Sequence, residues 1–97
     1  MIPIIGDPKV LEMYSDQYIC KLYQITDRST FGSRNARDVF RKLGLDAFHD
    51  EIVAQITDEI VQHLLERRHV KVGNERQVML TLEGKDWCDN HCKKQIT

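Results

Sequence analysis

Apolar residues recur along this chain in helical stripes, interrupted once by a short alternating stretch. From Asp7 to about Ile25 they fall at Val10, Leu11, Tyr14, Tyr18, Leu22 and Ile25, the spacing of one helix face. Asp7 is a natural N-cap and Pro8 stands where a first-turn proline is tolerated, so a first helix is expected over 7–25. Met13, Cys20 and Tyr23 lie off the stripe. Either this helix buries a second side against another subunit, or a small core wraps around it. A second helix over 33–43 carries Ala36, Val39, Phe40 and Leu43, with Ser33 or Asn35 as its cap and Gly44 as its stop.

The longest stripe comes next, with Phe48, Ile52, Val53, Ile56, Ile60, Val61, Leu64 and Leu65 on one face of a helix expected over 46–68. Asp46 suits its N-cap, Asp50 and Glu51 suit the positive end of its dipole, and Arg67, Arg68 and His69 suit the negative end. Thr57-Asp58-Glu59 would make a fair helix start, but no glycine or proline supports a turn there, and one long helix is favoured. Fully burying side chains of this size is worth roughly 1.5–3 kcal/mol each, so this helix forms the spine of the core. Then the period changes. His69-Val70-Lys71-Val72 and Gln77-Val78-Met79-Leu80-Thr81-Leu82 flank the polar turn Gly73-Asn74-Glu75-Arg76, a hairpin expected over 69–82. A last helix is expected over 83–94, with Trp87, Cys88 and His91 or Cys92 on one face and Trp87 in the core.

Composition bounds the class without naming an activity. Ninety-seven residues, 41% apolar and 30% charged, are those of one ordinary globular domain. No apolar run approaches the roughly 18 residues that span a membrane, and the first residues lack the features of a signal peptide. Three cysteines, an odd count, lead to the expectation of reduced thiols and a cytoplasmic location. Formal charge sums to −1 but is laid out in blocks. Residues 1–25 carry −1, 26–42 carry +3, 43–66 carry −6, 67–76 carry +3, and 77–97 are neutral.

From about Ser33 to Trp87 the sequence resembles winged helix-turn-helix proteins of the bacterial transcription-regulator type. Leu65-Glu66-Arg67-Arg68-His69-Val70 is similar to the end of a recognition helix, and Leu80-Thr81-Leu82-Glu83-Gly84-Lys85 to the segment leaving a wing. The resemblance implies a mainly helical fold with about four helices and a two- to three-stranded wing, including a very short strand near Phe31-Gly32. It also implies double-stranded DNA as partner, a homodimer, and a recognition helix in the major groove. Carried onto this chain, the phosphate contacts are Arg34, Arg37 and Arg41 on the second helix, with Lys71, Asn74 and Arg76 on the wing.

One departure is chemical. The helix in the recognition position carries Asp46, Asp50, Glu51, Asp58, Glu59 and Glu66 and no Lys or Arg before Arg67. Phosphates repel such a surface. The alternative is a winged-helix interaction or dimerisation module that presents Asp50, Asp58, Glu59 and Gln62 to a basic protein partner, or to the +3 segment of a second subunit. No nucleophile elbow, phosphate loop or paired-carboxylate motif frames the serines, histidines and acids, so neither an enzyme nor a cofactor is expected. Cys88 and Cys92 have the spacing of a helical metal pair, but a closed site needs about four ligands, and no metal is expected.

Overall fold

The structure is a computed structural model that describes residues 7–44 and 49–92. Helix α1 spans Pro8–Ile25, strand β1 Arg34–Asn35, helix α2 Ala36–Arg41, helix α3 Asp50–Glu66, strand β2 Val70–Val72, strand β3 Gln77–Leu80 and helix α4 Leu82–His91. Four helices and a three-stranded antiparallel sheet, in the order β1-β3-β2, make up the described chain. The expected helix-rich fold with a small hairpin is therefore present. No helix among the described residues is long and apolar enough to cross a membrane.

Local chemistry sets most boundaries. Asp7 caps α1 by accepting from the Lys9 amide at 2.9 Å, with Pro8 in the first turn. Asn35, rather than Ser33, caps α2, its side chain accepting from the Arg37 and Asp38 amides. The helix expected over 46–68 is one unbroken element through Thr57, and shorter at its C-terminus. Asp46 and Phe48 lie outside the described residues, and the residue at the cap of α3 is His49, which makes no side-chain capping bond. The short strand expected at Phe31-Gly32 falls instead at Arg34–Asn35, and Phe31 is 91% exposed. That shift follows from pairing, since Arg34 and Asn35 are the residues that reach Val78 and Gln77 of β3.

Two helix ends use the left-handed conformation without glycine. Past α3, the Arg68 amide donates to the Leu65 carbonyl and the His69 amide to the Leu64 carbonyl, with Arg68 at φ 64°. This pair of bonds satisfies carbonyls that a helix end leaves open, and it turns the chain at once into β2. The hairpin therefore stands beside α3. Asp27 and Arg28 close α1 in the same way.

The core is built around α1. Tyr18, Ile19, Leu22 and Tyr23 are buried there with Val39 and Phe40 of α2, Val53, Ile56, Ile60 and Leu64 of α3, Val70, Val78 and Leu80 of the sheet, and Cys88 of α4. Of the residues off the α1 stripe, Cys20 and Tyr23 are thus covered by the chain's own core, and Met13 remains half exposed. Tyr18 Oη donates to the Ala36 carbonyl at 2.7 Å and ties α1 to the start of α2. The buried face of α4 is Gly84, Cys88 and Cys92, one turn apart. Trp87 is only partly buried; it stacks on His91, and the Arg67 guanidinium lies over its ring.

Gly84 accounts physically for the segment Leu80–Lys85. A Cβ there would lie 1.9 Å from the His69 carbonyl oxygen, so only glycine lets α4 press against the α3–β2 junction. The Thr81 hydroxyl donates to the Arg68 carbonyl and accepts from the Gly84 amide, which starts α4 at that contact.

One expectation is overturned. Cys20 and Cys92 form a disulfide across 72 residues of sequence, and only Cys88 is a free thiol. Nothing in the linear order announces the pairing, because it arises when α4 folds back along α1. The expectation of reduced thiols fails for two of the three cysteines, and the cytoplasmic placement loses its premise. The metal-pair alternative for Cys88 and Cys92 also falls, since Cys92 is covalently bound to Cys20. Burial pushes the Cys88 thiol up to about 12, leaving it protonated and inert near neutral pH.

Candidate interaction groove

The hairpin and the start of α2 leave a groove of about 280 Å³ along α3. Thr57, Asp58, Val61, Gln62 and Leu65 line it from α3, Ala36 and Arg37 from α2, and Val72, Arg76 and Val78 from the hairpin side. The sequence produces it by three local devices. Residues 57–58, 61–62 and 65 recur at helical spacing, so they form one lengthwise strip of α3. Val72 pairs with Val78 across the β2–β3 ladder and so shares its face, turned toward α3. Arg76 sits at the hairpin end at φ 60°, closed by the bond from the Gly73 amide to the Gln77 carbonyl.

The floor is apolar and partly open. Val72 is 45% exposed, and Val61 and Leu65 are half-buried on the outward flank of the α3 stripe. Polar atoms interrupt the walls. Arg37 Nε and Thr57 Oγ1 are shut off from solvent, and neither has a hydrogen-bond partner. Thr57 as a whole is 1% exposed. Such atoms are uncommon in folded proteins, because an unpaired buried donor forfeits its hydration.

The residues expected to touch DNA separate in space. Arg37 and Arg76 come together on the groove. Lys71 pairs with Met79 and therefore points from the opposite face of the hairpin, while Asn74 is exposed at its tip. Arg34 lies on β1 rather than on the second helix, and its guanidinium donates to the Ser33 and Ile25 carbonyls. Arg41 ends α2 and is exposed.

The residues expected to hold a protein partner converge better. Asp58 and Gln62 line the groove, Glu59 is exposed beside them, and Asp50 opens α3 with its side chain outside the described set. Glu51, Asp58, Glu59, Gln62 and Glu66 are exposed along α3, which contains no lysine or arginine. Sequence reasoning missed the groove floor, because Val61 and Leu65 were placed on the buried stripe and Val72 was read only as part of the hairpin. The available signal was the width of the α3 stripe, which is broader than one buried face requires.

A second polar cluster ties α1 to α3. Arg67 donates to Asp16 at 2.9 Å and to Glu12 at 3.1 Å, and His63 Nε2 meets the other Glu12 oxygen. It spends Arg67, a basic residue near the hairpin, on holding two helices together. Among the described residues no group of three or more His, Cys, Asp or Glu is arranged to hold a metal ion. Comparison with protein-family models, curated proteins and solved structures finds no match to this chain.

Proposed function

We propose that this chain is a winged-helix interaction module that holds a basic, amphipathic segment of another protein against α3 and the β2–β3 wing. The observation that carries the reading is the groove itself, an apolar floor of Val61, Leu65 and Val72 bordered by the acidic ridge Asp58, Glu59 and Glu66. Apolar residues of the partner segment would cover the floor, and its lysines or arginines would face the ridge. A helix laid in an apolar groove is a common way for one protein to grip another. A photo-crosslinking residue at Gln62, introduced in the producing cell, tests this. A protein adduct that disappears when Asp58→Lys and Glu59→Lys are added supports the module. An adduct unaffected by the charge reversal, or none at all, counts against it.

DNA binding is the second reading, favoured by the pairing of Arg37 with Arg76 on one groove and by the exposed Lys71 and Asn74 of the wing. Major-groove docking of α3 is disfavoured by magnitude. Each acidic side chain about 4 Å from a phosphate costs roughly 1 kcal/mol in water, and α3 presents several. That total approaches the roughly 4–10 kcal/mol that separates specific from non-specific DNA binding. Contact through the wing and Arg37 avoids the ridge. Retention of the protein on mixed genomic DNA fragments, falling steeply with salt and lost in Arg37→Glu with Arg76→Glu, would establish this second reading. Homodimerisation, with the basic 26–42 segment of one copy against α3 of another, belongs to the same proposal and is read out by sedimentation.

A further inference from the structure

We infer that the groove between α3 and the hairpin is also a binding site for a small organic acid, a carboxylate carried on a branched or aromatic apolar body. The inference needs only the groove and no macromolecular partner. Three independent features meet there.

The first is chemical demand. Arg37 Nε is a permanent donor and the Thr57 hydroxyl can donate, yet both are closed to solvent and unpaired. Both residues line the same groove. A carboxylate oxygen is the acceptor that a guanidinium binds best, and each carboxylate has lone pairs enough for a hydroxyl as well.

The second is charge. Arg76 brings another guanidinium to the lining, and Asp58 is its one acid, which leaves the lining at a net +1. A monoanion balances that charge within the lining, inside the acidic ridge that borders it. The third is size and polarity. About 280 Å³ lies just under the roughly 300–1,000 Å³ of sites that take drug-sized ligands. The floor of Val61, Leu65, Val72 and Val78 suits a branched alkyl group or one aromatic ring.

The test uses the full chain, uniformly ¹⁵N-labelled, titrated with 4-methylpentanoate and phenylacetate and with the corresponding neutral amides. The expected result is saturable shifts of the Arg37, Thr57, Val61, Leu65 and Val72 amide signals with the acids. Amides of the same shape should bind at least about tenfold more weakly. Arg37→Gln should weaken acid binding by a similar factor, its fold being checked by circular dichroism. Arg76→Gln, at an exposed hairpin position, supplies the same comparison should Arg37→Gln fail to fold. Equal binding of acid and amide, shifts that map away from the groove, or no binding by either acid at millimolar concentration would each overturn the inference.

Discussion

Breaking the Cys20–Cys92 disulfide should remove a large part of this domain's margin of stability. The bond joins the last third of α1 to the end of α4 and closes a loop of 72 residues. In the chain-entropy model a cross-link over n residues lowers the entropy of the unfolded chain by about 2.1 + 1.5R ln n cal/mol/K. For a loop of this length that is about 15 cal/mol/K, or about 4.4 kcal/mol at 25 °C. Domains of this size have only about 5–15 kcal/mol in total. Reduction is the cleaner perturbation, because it leaves both buried sulfurs in place and opens no cavity. With an m-value of about 1–2 kcal/mol/M, the urea midpoint of the reduced chain should fall by roughly 2–4 M. Alkylation followed by mass measurement checks the premise independently. The unreduced, denatured chain should take one adduct, at Cys88, and the reduced, denatured chain three. Three adducts without reduction would show that the bond is absent. A single adduct with a midpoint shift below about 0.5 M would show that the unfolded chain is already restricted, and the entropic estimate would fail.

Three further outcomes follow from particular contacts. Gly84→Ala should destabilise by about 1–3 kcal/mol or more in urea unfolding, because its methyl would meet the His69 carbonyl, a backbone group that cannot swing aside. A loss under about 1 kcal/mol would mean that α4 can back away. Tyr18→Phe should cost about 1–3 kcal/mol by leaving the buried Ala36 carbonyl without its hydroxyl donor, while circular dichroism stays unchanged. The His69 imidazole titrates below its usual 6.5, first through burial and then through the Arg67 guanidinium, against smaller opposing effects of Glu83, Asp16 and Glu12. The folded chain thus takes up this proton less readily than the unfolded one. The stability it contributes is present above about pH 6.5 and lost as pH falls through the folded value. His69→Gln should remove that part of the slope between pH 7.5 and 5.5, and identical pH profiles for the two proteins would refute the assignment.

The spacing of apolar residues by itself determined that four helices and a hairpin form, and in which order. It did so because helices and strands repeat their buried positions at fixed and different periods, as residues 52–65 and 77–80 do. Turn and cap chemistry, Asp7, Asn35 and the Gly73–Arg76 stretch, set several boundaries for equally local reasons. Three things were decided only in three dimensions. Cys20 and Cys92 meet because α4 returns along α1, and no local signal encodes a contact 72 residues away. Val61 and Leu65 have the same composition signature as core residues; only the placement of the hairpin, fixed by the left-handed turn at Arg68, leaves them flooring a groove. Five basic residues and Asn74 were expected to meet phosphates together. Strand pairing turns Lys71 away, β1 takes Arg34 into backbone bonds, and Arg37 is left beside Arg76, because charge in sequence carries no direction until backbone hydrogen bonds assign each side chain a face.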